Sequence, residues 1–364
     1  MLFVLSGGGT AGHINPALAL AEVLREQNHQ VLFAGTPQGV EGGLVRDAGI
    51  EFVAFEASGF NRNHPMSIVS AVSKMMKSTR TAKQWLAQIK PDAVVCFGGY
   101  VAIAVGRAAL GLKIPLVIHE QNSLMGLTNK YLAKKATKIA LTYECSASAR
   151  CDKDKVVLTG NPVRKGVMEA TKAQGRSLLD IPHDALVLLV FGGSLGARHI
   201  NSAVAALKDR LLSHENLSII HITGPKDCEA VKKSLALSDA EQARWQVFAY
   251  QNRMGEVLAA TDIVVARAGA TSLAEISARH IPALLVPFPF ATGDHQTKNA
   301  AALVESGAAF MVADDKLDTP QFSEALFAMI EKPEIRQAMS SAQADMKTAD
   351  AASRLADVVT SLAR

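Results

Sequence analysis

Leu2-Phe3-Val4-Leu5-Ser6-Gly7-Gly8-Gly9-Thr10-Ala11-Gly12-His13 opens the chain. Four apolar residues read as a buried strand and the residues after His13 as a helix. The glycines between them let the backbone turn sharply and come close to an anion, at which the helix points its N–H groups and dipole. Gly7-x-Gly9-x-x-Gly12 matches the dinucleotide-binding fingerprint letter for letter. A dinucleotide site also needs an acid about 20 positions on, at the end of the second strand, for the ribose hydroxyl. Gln30 to Ala34 reads as that strand, and Ala34-Gly35-Thr36 stands where the acid belongs. This disfavours NAD at the first loop. No Gly-x-x-x-x-Gly-Lys-Ser/Thr occurs, so the nucleoside-triphosphate loop is absent too.

Working outward, strand and helix patterns alternate. A helix over Pro16 to Glu26 is followed by one near Val40 to Ala48, a strand at Glu51 to Phe55, a long helix from Pro65 to Ile89 and a buried strand at Ala93 to Phe97. The last strand runs into Gly98-Gly99-Tyr100, a second glycine turn, and Leu116-Val117-Ile118 ends in His119-Glu120-Gln121-Asn122. Alternation of this kind implies a parallel sheet, whose ligands bind at the carboxyl ends of its strands. After Thr159-Gly160-Asn161-Pro162-Val163-Arg164, a hinge-like segment, the pattern restarts. Ala185 to Phe191 is an apolar strand, Gly192-Gly193-Ser194-Leu195-Gly196 a glycine turn and Arg198 to Leu212 a helix, and His13-Ile14-Asn15 recurs as His199-Ile200-Asn201.

Further strands are expected near Leu217 to Ile222, Val247 to Ala249 and Asp262 to Ala266, and within Ile281 to Phe290, before a last helix over Ala349 to Leu362. The fold class expected is α/β, with two Rossmann-like doubly wound domains facing a cleft. We place the first at 1–161, with 346–364 packing back onto it, and the second at 162–345.

At 364 residues the chain is long for one core, which agrees with two domains. No apolar run approaches the roughly 20 residues that span a bilayer, and the opening strand lacks the basic flank of a signal peptide. Cys96, Cys145, Cys151 and Cys228 match no zinc spacing and read as reduced cytosolic thiols. The net charge of +4 is mild but unevenly spread: from Ala57 to Ala140 there are twelve Lys or Arg against two acids, Asp92 and Glu120. A cationic stretch of that kind attracts phosphorylated ligands, nucleic acid or an anionic membrane, and it is also what a solvated helix face carries.

In the second half, Arg267-Ala268-Gly269-Ala270-Thr271-Ser272-Leu273-Ala274-Glu275 is a strand end, glycine turn and helix start. It offers N–H groups to a phosphate, with Glu275 one turn in, where a carboxylate either accepts two ribose hydroxyls or caps the helix. Asp294-His295-Gln296-x-x-Asn299 opens another helix at the same edge. Asp152-Lys153-Asp154 is the only Asp-x-Asp and reads as a solvated turn, not a metal clamp.

Gly-Gly-Gly-Thr-Ala-Gly-His (7–13), His-Glu-Gln-Asn (119–122), Gly-Asn-Pro-Val-Arg (160–164), Gly-Gly-Ser-x-Gly-Ala-Arg (192–198), Arg-Ala-Gly-Ala-Thr-Ser-x-x-Glu (267–275) and Asp-His-Gln-x-x-Asn (294–299) together resemble the MurG family of peptidoglycan N-acetylglucosaminyltransferases, in family order over essentially the whole chain. The resemblance implies the two-domain GT-B fold. It also implies inverting transfer of N-acetylglucosamine from UDP-GlcNAc to lipid I, the undecaprenyl-diphosphate-linked muramoyl pentapeptide, giving lipid II. Carried over by position, it gives Glu275 the ribose hydroxyls and sets Ala270, Thr271 and Ser272 around the diphosphate and ribose. Arg164 and Ser194 would contact phosphate, Gln296 and Asn122 the sugar hydroxyls, and backbone near Gln251 the uracil, although Ala249 to Arg253 departs from the family form. Thr10, Ala11 and Gly12 would face the donor sugar, and Gly8, Gly9, Gly98 and Gly99 the acceptor diphosphate.

Displacement at the anomeric carbon needs a base. His13 is the first candidate, with ordering of the loop as its other reading, and Glu120 is the second. No metal or tightly bound cofactor is expected, because Arg164, the glycine turns and the helix N-termini supply positive potential. Pro65 to Ile89 interleaves Met66, Ile68, Val69, Val72, Met75, Met76, Trp85 and Leu86 with Lys74, Lys77, Arg80 and Lys83. It fits peripheral attachment to the anionic cytoplasmic membrane surface or a core helix with a solvated face. Nucleic acid is not an expected partner. The rival activities are another UDP-sugar GT-B transferase with a lipid acceptor, and a nucleotide-dependent oxidoreductase or binding module.

Overall fold

Buried strands in a parallel sheet are apolar on both faces, and Ala93-Val94-Val95-Cys96-Phe97 is entirely buried, as a central position requires. The computed structural model describes residues 1–363 except 38, 40, 57–64, 145–150, 194–195 and 347–348, and only the backbone of 65–72. Met1–Arg164 with Ala349–Arg364 make one compact unit and Lys165–Thr348 the other. The division falls three residues beyond the expected boundary at 161, so Arg164 belongs to the first unit.

The first unit carries β1 (Leu2–Gly7), β2 (Gln30–Gly35), β3 (Glu51–Ala54), β4 (Ala93–Gly98), β5 (Leu116–Glu120), β6 (Lys138–Leu141) and β7 (Val156–Leu158), in the order β3-β2-β1-β4-β5-β6-β7. The second carries β8 (Leu186–Phe191), β9 (Leu217–Ile222), β10 (Trp245–Phe248), β11 (Ile263–Ala266), β12 (Ala283–Leu285) and β13 (Ala309–Met311), in the order β10-β9-β8-β11-β12-β13. All pairs are parallel. Strand order reverses between β1 and β4 in one sheet and between β8 and β11 in the other. In open α/β sheets the crevice outside such a reversal holds the ligand.

The helix expected from Pro16 begins at Ala11 and runs to Glu26. Its first turn is small and polar and so carries no apolar period. The helix is recognisable only from Ile14 onward, where Ile14, Ala17, Leu18, Ala21 and Leu24 are buried. The last helix, Ala351–Thr360, adds Leu355, Ala356 and Val359 to the same apolar cluster. Full burial of Leu355 stabilises by roughly 1.5–3 kcal/mol. The helix expected over Arg198 to Leu212 is two, Arg198–Ala205 and Lys208–Leu212. β5 continues past Ile118 through His119 and Glu120, so both are buried strand residues rather than members of an open loop.

The helix Pro65–Ile89 has the expected bounds. Its Ser78, Ala82 and Leu86, spaced by four, are buried, whereas Lys74, Lys77, Arg80 and Lys83 are exposed and Met76 is 61% exposed. Trp85 packs on Phe55 with ring centroids 5.4 Å apart. Met66, Ile68, Val69 and Val72 have side chains outside the described residues. No helix among the described residues is long and apolar enough to cross a membrane.

Among the described residues each unit buries one imidazole fully within its sheet, His119 on β5 and His221 on β9. Burial lowers His119 to about 4, against an opposing pull from the Gly160 carbonyl, and burial lowers His221 to about 4. Both stay neutral in the native protein, while in the unfolded chain they take up protons below 6.5. Their stabilisation is complete above that value and is lost as the pH falls toward 4. Urea midpoints measured between about pH 7 and about pH 5 are expected to fall with pH, with a smaller fall for His221→Gln.

Candidate functional site

Gly7 ends β1 opposite Gly98, which ends β4. Gly98 (φ +111°) and Gly99 (φ +84°) hold a conformation that side chains resist. A Cβ on Gly99 would lie 2.5 Å from the Gly8 carbonyl oxygen, so the two glycine turns interlock. His13 sits in the first turn of Ala11–Glu26, its Nδ1 2.8 Å from the Gly8 carbonyl oxygen. A carbonyl only accepts, so Nδ1 carries the hydrogen and the lone pair is on Nε2. That nitrogen lies against the second turn, 3.0 Å from where a Cβ on Gly98 would stand. Thr10 is the exposed N-cap of the helix, with Ala11 and Gly12 half-buried at its positive end. Gly8 is buried and Gly9 exposed. The first unit thus gathers Gly8, Gly9, Thr10, Ala11, Gly12, His13, Gly98 and Gly99 at one sheet edge, around an imidazole in the tautomer of a base.

The second base candidate is placed differently. Glu120 is 2% exposed, and its carboxylate accepts four hydrogen bonds. The Asn122 N–H (3.1 Å) and Nδ2 (3.3 Å) donate to Oε1, and the Gly126 N–H (2.9 Å) and Asn129 Nδ2 (2.9 Å) to Oε2. Every acceptor site of the group is taken, so Glu120 shapes the loop that presents Asn122 instead of facing it as an open carboxylate. His119 donates from Nε2 to the Gly160 carbonyl (2.9 Å) and accepts on Nδ1 from Gln121 Nε2 (3.2 Å). Arg164, expected beside the donor phosphate, pairs with Glu22 at 3.0 Å within the first unit.

In the second unit the glycine turn follows β8, with Gly193 and Gly196 at positive φ. A Cβ on Gly196 would lie 2.2 Å from the Thr223 carbonyl oxygen. Ser194 lies outside the described residues. Beyond β11, Gly269 is the N-cap of Ala270–Ala278, which presents Thr271 and Ser272 in its first turn and half-buried Glu275 in its second. Gln296, in the first turn of His295–Glu305, accepts the Phe288 N–H on Oε1 at 2.9 Å. Gln251 accepts the Arg253 N–H at 3.2 Å in the turn after β10. The buried Asn299 donates to the Ala268 carbonyl at 3.3 Å. These residues share the carboxyl edge of the second sheet.

Asp314, Asp318 and Glu41 escape a reading by motif, as do the pairings of Arg267 and His199. Arg267 pairs with Asp314 at 2.5 Å, donates to the Val286 and Pro287 carbonyls (3.3 and 3.1 Å) and stacks over Phe288 at 5.5 Å. Asp314 also meets His199 Nδ1 at 2.8 Å, and His199 Nε2 reaches Asp318 at 3.1 Å. This network ties the helix after one glycine turn to the segment after β11. Burial works to raise Asp314, but the hydrogen bonds from His199 and Arg267 hold it below the usual carboxylate range. Glu41 is fully buried beside Gly8. No local pattern around Asp314, Asp318 or Glu41 singles these acids out in the sequence.

A polar trough of about 280 Å³ lies at the opposite, amino edge of the second sheet, lined by Lys172, Arg176, His183, Asp184, Asp262 and Arg336 among others. Its arginines are committed to structure. Arg176 donates to the Pro182, His183 and Ala185 carbonyls and to Asp262, and Arg336 to those of Met329 and Ile330.

Two doubly wound units with glycine turns at both chain reversals form the GT-B fold of glycosyltransferases. The Glycosyltransferase family 28 N-terminal domain matches residues 3–141 and the Glycosyltransferase family 28 C-terminal domain residues 187–355. The UDP-N-acetylglucosamine--N-acetylmuramyl-(pentapeptide) pyrophosphoryl-undecaprenol N-acetylglucosamine transferase of Leuconostoc mesenteroides is 40% identical over 357 residues, covering 98% of this chain and 97% of the relative. The protein of the same name from Lactiplantibacillus plantarum is 39% identical, with 99% of each chain covered. The crystal structure of MurG from Acinetobacter baumannii is 30% identical and superposes with a TM-score of 0.74 over 99% of each chain. The chain belongs to the MurG family of glycosyltransferases.

Hydrogen bonding to Asp314, and then to Asp318, raises His199 above the ordinary imidazole value, with burial opposing. Its contribution is therefore complete below 6.5 and is lost as the pH rises through the raised value. Hydrogen-exchange protection of the amides of Arg198–Ala205 is expected to weaken on that alkaline limb, after correction for intrinsic exchange, and His199→Asn to remove the pH dependence.

Proposed function

We propose that this protein transfers N-acetylglucosamine from UDP-GlcNAc to the muramoyl C4 hydroxyl of undecaprenyl-diphosphate-linked muramoyl pentapeptide, converting lipid I to lipid II with inversion. The relatives' names supply the substrates. The observation that carries the chemistry is the His13 ring, with Nδ1–H on the Gly8 carbonyl and the Nε2 lone pair beside Gly98.

The acceptor oxygen attacks the anomeric carbon from the face opposite the leaving group, so one displacement inverts the configuration. Its proton passes to His13 Nε2, and UDP departs with the pair of electrons from the broken C–O bond. Glu120, with its four donors, serves as an organiser of the Asn122 loop, which leaves His13 as the base. Gly8, Gly9, Gly98 and Gly99 let the acceptor diphosphate approach the backbone, with Thr10, Ala11 and Gly12 toward the donor sugar. In the second unit the helix start at Ala270, Thr271 and Ser272 and the glycine turn containing Ser194 stabilise the departing diphosphate. Glu275 holds the ribose, Gln251 lies at the uracil, and Gln296 and Asn122 read the sugar. Arg164 can join the phosphates only by giving up Glu22. No tightly bound cofactor enters this scheme.

His13→Ala is expected to lower kcat by about 100-fold or more while the KM for UDP-GlcNAc stays within about twofold. Transfer of labelled N-acetylglucosamine to a lipid I analogue measures both, and unchanged turnover removes the assignment.

The lipid acceptor gives the exposed cations of Pro65–Ile89 a use, as the contact with an anionic cytoplasmic leaflet. Each basic residue at such a surface contributes about 1 kcal/mol, so replacing Lys74, Lys77, Arg80 and Lys83 by Ala should weaken partition onto anionic vesicles by up to roughly a thousandfold at low salt. Co-sedimentation reads this directly, and undiminished binding by the variant refutes the patch.

A further inference from the structure

We infer that Glu41 is a positioning residue for His13, acting through the peptide of Gly8. The inference rests on the reading of His13 as the base. Glu41 opens the helix Glu41–Asp47 and is 0% exposed, an unusual place for a carboxyl group with no ion pair to a cation among the described residues. The Thr36 N–H (2.9 Å) and the Thr36 hydroxyl both donate to Oε1. Oε2 is buried with no hydrogen-bond partner among the described residues. The fold therefore keeps the group at this spot without satisfying all of its polarity.

What the carboxyl group touches gives the reason. Its Oε1 occupies the space a side chain on Gly8 would need, 2.5 Å from that Cβ position, with Val101 Cγ1 3.3 Å away from it. The carbonyl side of Gly8 is closed by Gly99, whose own Cβ would stand 2.5 Å from the Gly8 oxygen and 3.1 Å from its carbon and nitrogen. Gly8 is thus wedged between a carboxyl group pinned by Thr36 and the second glycine turn. The oxygen held in this way is the one that accepts from His13 Nδ1 at 2.8 Å. Thr36, Glu41, Gly8 and His13 form a contiguous series, and its last member carries the lone pair. Loss of the wedge frees the Gly8 peptide to rotate, and the imidazole loses the acceptor that fixes its tautomer and direction.

The test compares Glu41→Ala, Glu41→Gln, His13→Ala and the Glu41→Ala/His13→Ala double variant in the full-length protein, with UDP-GlcNAc and a lipid I analogue. Glu41→Ala should lower kcat about tenfold or more with the donor KM within about twofold. Glu41→Gln, whose carbonyl oxygen still accepts from Thr36 and fills the same space, should recover most of the loss. In the His13→Ala background Glu41→Ala should have no further effect, because the residue it positions is gone. A merely structural role predicts losses that multiply and a donor KM that rises in step, and either result overturns the inference, as does unchanged kcat in Glu41→Ala. If Glu41→Ala fails to fold, Thr36→Val, which removes the hydroxyl anchor, replaces it with the same expectations at smaller size. Full turnover in His13→Ala defeats the base reading and this inference together; loss in His13→Ala with none in Glu41→Ala defeats this inference alone.

Discussion

Gly99 approaches the backbone of Gly8 so closely that it has no room for a side chain, and much of the first unit's edge follows from that contact. β1 and β4 are neighbours at the point where strand order reverses, so their carboxyl ends open onto a shared crevice. Glycine at both ends lets the two turns interlock, and the interlock fixes a carbonyl oxygen to which His13 can donate. The tautomer of His13 is set here by steric means. The ring needs no carboxylate partner to choose its tautomer, because the backbone oxygen can only accept.

The second unit repeats the arrangement with a different outcome. Gly196 meets the Thr223 carbonyl as Gly99 meets that of Gly8, and a His-Ile-Asn sequence follows the turn. His199, however, finds Asp314 and Asp318 on its two nitrogens, so both carry hydrogen when it is charged and neither is open to a substrate proton. Identical letters give an imidazole bonded to a backbone carbonyl in one unit and one held between two carboxylates in the other. The difference lies in residues more than a hundred positions away.

Polar groups at both edges are organised in the same manner, by side chains that give up their own reactivity to hold a loop. Glu120 spends its oxygens on Asn122, Gly126 and Asn129, Gln296 takes the Phe288 amide, and Arg267 takes two carbonyls and Asp314. Around the buried Glu120 and the partly buried Arg267 such bonds are strong and their loss costly.

Most of the fold was legible in the chain itself. Continuous apolar runs fixed the central strands, glycine turns at their ends marked the edges where ligands bind, and the restart at Ala185 announced a second sheet. Local physics suffices there, because strand burial and turn chemistry are written in neighbouring residues. The small, polar first turn of Ala11–Glu26 was not legible, since it carries no apolar period, and neither was the extension of β5 through His119 and Glu120, where polar letters hide a buried strand. β2 ends in Ala34-Gly35-Thr36 with no acid, yet tertiary folding brings Glu41 to that strand's end, on Thr36. Which imidazole keeps a free lone pair, which carboxylate is fully occupied and where Arg164 finds its partner were decided only by the tertiary structure. A hydrogen bond between distant residues depends on where two backbones meet, and no local pattern of residues encodes that meeting.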